Sequence, residues 1–370
     1  MTDHPDWAYA AALTNVPGCG STAAFRLLVL HEPREAYERA VAEATSRGAR
    51  IDDGAVGEMR DRCERSGIRV SWVRAPGFPL VLAANPGPCG VFFFRGDTDC
   101  LGGRRVGIVG TRTPTPSGVY TAREIAEGLS RAGVHVVSGL AKGIDGAAHD
   151  GVRAATDGSP WPGRAIAVVG SGLDVVYPRA NAALWEWVSD HGLLISEHPP
   201  GSAAEPHHFP RRNRLIAALS EVVVVVESRE SGGSMSTVRQ AIERQRDVVA
   251  VPGSPRVVSA AGTNLLIQQG CGAVTCAADI LSVLALDHRH ADAMTHDERV
   301  TPDPRDVVVL EACSRGPVTL DQLMITTGCT LAELALSLGR LEATGWVMEE
   351  AGWWEALLLR RGRHAGESIT

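Results

Sequence analysis

The chain has 370 residues, a formal net charge of -7, 44% hydrophobic residues and 40 glycines. This composition excludes a disordered or fibrous chain, and it is typical of an α/β protein whose many strand-to-helix turns need glycine. No apolar run approaches the roughly 20 residues that cross a bilayer, and the first residues lack the basic and apolar regions of a signal peptide. We therefore expect a cytoplasmic protein without a membrane span.

The eight cysteines are scattered along the chain, with no C-x-x-C pair and no histidine at a zinc-binding distance in sequence. This pattern predicts reduced thiols rather than disulfides. It also predicts that the protein holds no structural metal. No cofactor is expected either.

Residues 1–75 are predicted to form a small helical domain of the helix-hairpin-helix or SAM-like kind. Helical segments at Trp7–Leu13 and Thr22–Leu30 flank the sequence Val16-Pro17-Gly18-Cys19-Gly20, and a further helix is predicted at Val56–Arg65. The glycine hairpin resembles a helix-hairpin-helix, in which amides at a helix start hold a DNA phosphate. A hairpin that only packs or contacts proteins is the alternative, and the lack of a nearby lysine favours it.

Residues 76–286 are predicted to form a Rossmann-like domain, beginning near several closely spaced prolines. From Arg105 onward, short and wholly apolar runs alternate with glycine turns and helical stretches. Strands that are apolar on both faces belong to a parallel sheet covered by helices on both sides. The predicted fold class is therefore α/β, with a doubly wound, mostly parallel sheet. Its strands are predicted at Val106–Val109, Val134–Val137, Ala165–Val169, Leu193–Ile195, Val222–Val226 and Val248–Val251.

The chain after Leu286 is predicted to contain a linker (287–304), a winged-helix domain (305–360) and a tail (361–370). The linker is polar and ends in prolines. Its histidines are interpreted as solvated, with metal binding as the alternative; they are His288, His290 and His296.

Residues 305–360 show three helical segments followed by a strand pair, a pattern typical of a winged helix. In a DNA-reading winged helix, the helix over Thr330–Thr344 would contact the duplex. It carries one arginine, Arg340, against two glutamates, Glu333 and Glu342. Since this balance is unfavourable for phosphate contact, a protein-contact or regulatory role is favoured over duplex binding.

Four glycine-rich turns follow predicted strands, at Gly110–Arg112, Ser138–Asp145, Gly170–Asp174 and Ser231–Ser234. In an open parallel sheet such turns gather at the carboxyl edge, where helix amino termini present free N–H groups. Glycines at a turn can also serve only tight turning and close packing. Here two turns carry a cation, Arg112 and Lys142, which favours an anionic ligand because cations and helix amino termini reinforce each other.

A cluster of arginines in Phe209–Arg214 adds to this predicted anion site, directly before a helix predicted at Asn213–Leu219. No turn has the spacing of a P-loop, and Gly107–Gly110 does not match the dinucleotide-binding G-x-G-x-x-G pattern. ATP hydrolysis and ordinary NAD binding therefore lose support. Single-stranded nucleic acid remains, because consecutive phosphates would use cations spread over several loops and Phe209 could stack a base.

Several motifs in a fixed order resemble the DprA (Smf) family of DNA-processing proteins. They are G-I-V-G-T-R (107–112), S-G-L-A-K-G-I-D-G-A-A-H (138–149), A-V-V-G-S-G-L-D-V-V-Y-P (167–178), I-S-E-H-P-P-G (195–201), F-P-R-R-N-R-L-I-A-A-L-S (209–220), V-A-V-P-G (249–253) and G-T-N-L-L-I (262–267).

This resemblance implies a protein without catalysis that binds and protects single-stranded DNA. It also implies loading of the recombinase RecA onto that DNA in natural transformation (competence) or recombination, and action as a homodimer. Single-strand-binding protein is a further candidate partner. Family members contact RecA and each other through the carboxyl part of this domain, around the helix near Thr237–Gln245 and beyond. His149 matches a family histidine, which is interpreted as a cap or support of the fold, with a base as the alternative.

By the same resemblance, Arg112 would hold a phosphate, Lys142 would line the same groove, and the Phe209–Arg214 stretch would form its other wall. The predicted DNA-binding residues are Gly110, Thr111, Arg112, Ser138, Gly139, Lys142, Phe209, Arg211, Arg212, Asn213, Arg214, Ser231 and Gly232.

The loop at Ser231–Val238 departs from the S-G-S-L-x-T-A sequence that is common in the family. A related Rossmann-like family of nucleotide hydrolases, which uses P-G-G-x-G-T-x-x-E to place a phosphate and a catalytic acid, is the alternative. When this pattern is aligned with the loop from Ser231 onward, the catalytic acid corresponds to Arg239, or to Gln240 if one residue is inserted. Neither side chain can act as a carboxylate. A protein-binding scaffold is a third possibility, but it leaves the arginine cluster without a purpose.

Overall fold

This computed structural model describes residues 4–84, 86–156, 159, 162–284, 302–303, 305–314, 316–350 and 352–357. The chain divides into two compact units, Met1–Pro114 with Thr121–Leu286, and Thr115–Tyr120 with Asp287–Thr370. The predicted tail and nearly all of the predicted linker lie outside the described residues. Within those residues, no helix combines the length and apolar character that a membrane crossing requires. All eight cysteines are free thiols.

A nine-stranded sheet forms the centre of the first unit, in the order β1-β2-β6-β5-β4-β3-β7-β8-β9. Its strands are β1 (Arg69–Trp72), β2 (Val91–Gly96), β3 (Arg105–Val109), β4 (His135–Ser138), β5 (Ala165–Val168), β6 (Leu193–Ser196), β7 (Val222–Val225), β8 (Asp247–Ala250) and β9 (Gly272–Ala273).

Strands β3 to β9 pair in parallel, whereas β2 is antiparallel to β6 and β1 is antiparallel to β2. The six predicted strands are confirmed, each within one residue at either end. These six strands carry β-branched and other apolar side chains on both faces. They are therefore suited to the interior of a sheet that is covered on both sides. The valines of β7, for example, are at most 1% exposed.

Twelve helices accompany this sheet in the described chain up to residue 284. They are α1 (Asp6–Leu13), α2 (Ser21–Leu30), α3 (Pro33–Ser46), α4 (Ala55–Arg65), α5 (Leu80–Ala83), α6 (Pro116–Arg131), α7 (Ile144–Ala155), α8 (Ala182–His191), α9 (His208–Leu219), α10 (Ser234–Glu243), α11 (Ala261–Gln268) and α12 (Ala277–Val283).

Helix α9 begins at His208, five residues before the predicted start at Asn213. Pro210 lies within this helix, because a proline is tolerated in the first helical turn, where its missing N–H has no intrahelical partner. The arginine cluster therefore lies on the helix and not in a loop ahead of it. Since successive helical residues point in different directions, the cluster cannot present all of its arginines to one ligand.

The predicted boundary near residue 76 falls inside the first unit. Strand β1 precedes this boundary, yet it pairs with β2 over four residues, from Arg69 opposite Phe94 to Trp72 opposite Val91. Helix α1 also contacts β1, α3 and α4. Helix α1 thus packs both on the other amino-terminal helices and on a strand that belongs to the main sheet.

The described part of the second unit contains a small three-stranded sheet, in the order β10-β12-β11, and three helices. Its elements are α13 (Val307–Ser314), β10 (Val318–Thr319), α14 (Leu320–Thr327), α15 (Leu331–Ala343), β11 (Val347–Glu350) and β12 (Trp353–Ala356). The three helices and the final strand pair agree with the predicted order, whereas the short strand β10 between α13 and α14 was not predicted. The winged-helix assignment stays a prediction. Thr319 and Thr330 form capping boxes that start α14 and α15.

Candidate nucleic-acid interface

A pocket of about 130 Å³ lies at the carboxyl edge of the sheet, where the loops after β3, β4 and β5 meet the start of α9. Parallel strands bring these loops together because all of them end at the same edge. The pocket is lined by Arg112, Gly139, Ala141, Lys142, Val169, Gly170, Ser171, Tyr177, Pro178 and Phe209.

Two aromatic rings and one guanidinium form the wall of this pocket on the α9 side. The Arg112 guanidinium carbon lies 4.7 Å from the centroid of the Phe209 ring. The ring of Tyr177 lies 5.6 Å from that of Phe209, with the two planes 38° apart. A flat group that enters the pocket therefore meets aromatic surface beside a positive charge, the combination by which proteins hold unpaired bases.

The exposed cations of the site are Arg112 and Lys142, which line the pocket, and Arg211 on the first turn of α9. Arg112 follows β3, Lys142 follows β4 and Arg211 belongs to α9, so three separate elements contribute positive charge. Cations on separate elements can neutralise successive phosphates of one strand. The structure shows that these three side chains are exposed, and their contact with DNA stays a prediction.

Arg212, by contrast, is buried, with only 5% of its surface exposed, and its side chain supports the fold instead of lining the pocket. Its Nη1 donates to the carbonyl oxygen of Gly139 at 2.8 Å and also to that of Val168. Those carbonyls belong to the chain after β4 and at the end of β5. Burial lowers the pKa of Arg212 to about 10, so the group remains charged near neutral pH while it joins these two strand ends.

Gly139 lies between the Arg212 guanidinium and the carboxylate of Asp145. A Cβ added at Gly139 would clash with the guanidinium nitrogens and would come within 2.5 Å of Asp145 Oδ2. Burial raises the pKa of Asp145, while the Arg212 charge and N–H donors of Ala141 and Gly139 lower it. Only glycine fits here, and the contacts beneath it shape the loop that presents Lys142.

Arg214 and Asn213 also hold α9 in place. Arg214 Nη2 lies 2.5 Å and 2.6 Å from the two carboxylate oxygens of Glu197, and Ser21 Oγ donates to the same carboxylate at 2.6 Å. Asn213 Nδ2 donates to Ser236 Oγ on α10 at 2.8 Å. These contacts place both residues in the support of α9, not in the lining of the pocket.

The predicted site residue Ser138 is fully buried, and its hydroxyl donates to the Ile108 carbonyl at 2.6 Å. Its side chain therefore supports β3 and β4 and does not reach the pocket. The sequence did not reveal this because a serine that ends a strand, next to a glycine turn, resembles an exposed loop serine.

Two other predicted segments lie at the same sheet edge but outside the pocket lining. The Thr111 amide donates to the Glu227 carbonyl at 2.7 Å, and a Cβ at Gly110 would clash with Ile144. These contacts fix the turn that carries Arg112. In the loop after β7, Ser231 is exposed, and Gly232 could not accept a Cβ because of Ser228 Oγ.

Tyr177 is the aromatic residue of the pocket that sequence reasoning missed. It follows the Gly170–Asp174 turn and is 44% exposed although it lies against Phe209. The signal was the aromatic residue in V-V-Y-P, a few positions beyond a turn already predicted to bind an anion. Gly170, Ser171 and Pro178 line the pocket from the same segment.

The position that would carry the acid of a nucleotide hydrolase lies on α10. Arg239 and Gln240 occupy this part of the helix, and Gln240 Nε2 donates to Glu243 at 3.0 Å. Among the described residues that line the pocket, none is an aspartate or a glutamate. The geometry therefore gives no support to the hydrolase alternative.

In the second unit, the guanidinium of Arg340 on α15 is engaged by Asp306. Its Nη2 and Nε lie 2.6 Å and 2.9 Å from the two carboxylate oxygens, and Asp306 also accepts from Ser337. The arginine of this helix is thus occupied within its own unit. This arrangement agrees with the preference for a role other than duplex reading.

Comparison with known proteins gives several matches. A family model described as DNA recombination-mediator protein A matches residues 69–285. The chain is 41% identical over 219 residues to the DNA processing protein DprA of Bacillus subtilis, covering 59% of this chain and 72% of that protein.

Two solved structures of DprA proteins share this fold. DprA from Streptococcus pneumoniae superposes with a TM-score of 0.59 at 30% identity, covering 75% of this chain and 93% of that chain. DprA from Helicobacter pylori, whose structure was solved for its single-stranded DNA binding mode, gives a TM-score of 0.51 at 28% identity and covers 59% and 95% of the two chains. The α/β, Rossmann-like fold predicted from the sequence is confirmed. This chain belongs to the DprA (Smf) family, also described as DNA recombination-mediator protein A.

Proposed function

We propose that this protein binds single-stranded DNA in the pocket formed by the loops after β3, β4 and β5 and the start of α9. The observation that carries the proposal is the Arg112 guanidinium stacked on the Phe209 ring at 4.7 Å, beside Tyr177 and Lys142. The single-stranded DNA binding of the Helicobacter pylori relative supports it.

The pocket favours an unpaired strand over a duplex for a physical reason. In a duplex the base faces are stacked on one another, so an aromatic wall has nothing to contact. In a single strand the faces are accessible, and stacking on an aromatic side chain contributes about 1–3 kcal/mol per base. Because every base has such a face, little base preference is expected.

The test is a salt titration with labelled oligonucleotides. Single-stranded DNA is expected to bind more tightly than a duplex of the same length, and its affinity is expected to fall steeply with salt as phosphates release counterions. Equal affinity for both forms, or binding that is insensitive to salt, would contradict the proposal.

We further propose that binding occurs without catalysis. The basis is the composition of the pocket, whose cations and aromatic rings suit binding, together with an arginine and a glutamine where a hydrolase needs its acid. Incubation with nucleoside monophosphates and with oligonucleotides checks this point. Release of phosphate, base or shortened strands in proportion to protein concentration would refute it.

We also propose that the protein acts in the cytoplasm as a homodimer, protecting incoming DNA and loading RecA onto it during natural transformation or recombination. Family membership supports this role. The first test is whether the protein speeds filament formation by a cognate RecA on strands coated with single-strand-binding protein. Sedimentation of the free protein tests the dimer, and a monomer at every concentration would contradict it.

A further inference from the structure

A second cluster of chemically active side chains lies at the start of α9, outside the pocket lining. One carboxylate oxygen of Glu205 and one ring nitrogen of each of His207 and His208 all lie within 4.8 Å of one another. Glu205 and His207 are exposed, while His208 is half-buried. The cluster is therefore accessible to a small ligand from solvent.

The most buried member of this cluster already has the environment of a metal ligand. His208 Nδ1 lies 3.0 Å from the Gly170 carbonyl oxygen, so it carries the proton and leaves Nε2 with a free lone pair. Metal-binding histidines commonly donate their other N–H to a carbonyl in this way, which fixes the ring and its tautomer. His198 stacks on the His208 ring at a centroid distance of 3.8 Å and further limits its movement.

The donor set selects the class of ion. Two imidazoles and one carboxylate suit a transition ion such as Zn²⁺, whereas Mg²⁺ and Ca²⁺ prefer oxygen ligands alone. The three ligand atoms lie within 4.8 Å of one another, so rotation of the side chains is what would bring them to one ion. Three protein ligands also leave at least one coordination position open to water or to an outside oxygen.

We propose that Glu205, His207 and His208 form a binding site for a divalent transition-metal ion of the Zn²⁺ class. The sequence predicts no metal because of the spacing of its cysteines and histidines. That prediction did not consider Glu205, two residues before the histidine pair. The amino terminus of α9 and the nearby Arg211 repel a cation, so the affinity is expected to be moderate.

This site adjoins the proposed DNA pocket but does not depend on it. Gly170, whose carbonyl orients His208, lines the pocket. A bound ion would add positive charge beside Phe209 and offer an open position to a phosphate oxygen. The inference nevertheless concerns metal binding by the free protein, which is measured without DNA.

The experiment is a titration of the tag-free, full-length protein with Co²⁺, followed by its visible absorption, and with Zn²⁺, followed by calorimetry. We expect a site that Glu205→Ala and His207→Ala each weaken by at least about tenfold, since loss of even an outer partner has an effect of that order. Both residues are exposed, so these variants are expected to remain folded.

Two control variants identify the source of the signal. The linker variant His288→Ala/His290→Ala/His296→Ala and the α8 variant His191→Ala should retain the site. Loss of the signal in the linker variant, or unchanged binding in both Glu205→Ala and His207→Ala, would overturn the proposal. Oligonucleotide binding, measured on the same samples with a chelator present, reports separately on the proposed DNA function.

Discussion

At the scale of single residues, the three arginines at the start of α9 have different structural roles. Arg211 is exposed near the pocket, Arg212 is buried under it, and Arg214 is paired with Glu197. Arg112, from a different loop, supplies the cation that stacks on Phe209. Substitutions at these positions should therefore separate DNA contact from support of the fold.

Arg112→Ala and Lys142→Ala are expected to weaken single-strand binding without lowering stability, because both side chains are exposed. If each contacts one phosphate, each change should reduce the slope of log affinity against log salt by about one. Arg39→Ala, which removes an exposed arginine of α3 paired with Glu35, is the matched control. Unchanged affinity in the Arg112→Ala/Lys142→Ala double variant would contradict the assignment.

Arg212→Ala is expected to lower the free energy of unfolding by about 3 kcal/mol, because it leaves buried carbonyls and the buried Asp145 without their partner. Arg212→Lys should recover only part of this loss, since a single ammonium cannot reproduce the spread of guanidinium donors. Denaturant unfolding measures both. The exposed Arg211→Ala should stay within about 0.5 kcal/mol of the parent. Equal stability of the Arg211→Ala and Arg212→Ala variants would show that the buried contacts of Arg212 do not stabilise the fold.

At the scale of elements, α9 is connected to the amino-terminal helices through one carboxylate. Glu197, just after β6, accepts from Arg214 on α9 and from Ser21 at the start of α2. The adjoining loop is also held by α4, because Arg62 Nη1 donates to the Pro200 carbonyl at 3.0 Å. The amino-terminal helices thus help to fix the helix that carries Phe209.

Glu197→Gln is expected to destabilise the protein by about 2 kcal/mol, because it leaves the largely buried Arg214 without its counter-charge. A double-mutant cycle with Arg214→Met measures the coupling between the two residues, and the combined change should cost less than the sum of the single changes. Simple additivity would mean that the ion pair does not link α9 to the loop after β6.

At the scale of the whole molecule, buried histidines make stability depend on pH. His149 is fully buried, and burial lowers its pKa to about 3, against about 6.5 in an unfolded chain. Between these values the unfolded chain binds a proton that the native protein does not. The contribution of His149 is therefore complete above about pH 6.5 and is lost on acidification towards about pH 3, by up to about 1.4 kcal/mol per pH unit.

His149→Gln tests this effect, because glutamine does not titrate. Unfolding free energies measured from about pH 7.5 to about pH 5 should fall less steeply in the variant than in the parent. Comparing slopes removes any constant loss of stability caused by the substitution itself. Parallel curves for the two proteins would show that His149 does not titrate differently in the folded and unfolded states.

The sequence predicts the sheet well and the site in part. Strands such as β7 are recognised because a short, wholly apolar run that leads into a glycine-containing turn has few alternatives in a folded chain. The burial of Arg212 and Ser138 could not be predicted, since it depends on carbonyls brought together from different strands. The structure starts α9 at His208, five residues before the predicted start, because its first turn accommodates Pro210.

Photo-crosslinking tests the central claim most directly. A single strand that carries 5-iodouracil, irradiated in complex with the full-length protein and analysed by mass spectrometry, reports which side chains stack on its bases. We predict crosslinks at Phe209 or Tyr177. In the variant Phe209→Ala, which keeps Arg112 and Lys142, we predict that these crosslinks are lost. Crosslinks confined to residues outside this pocket would contradict the proposed interface.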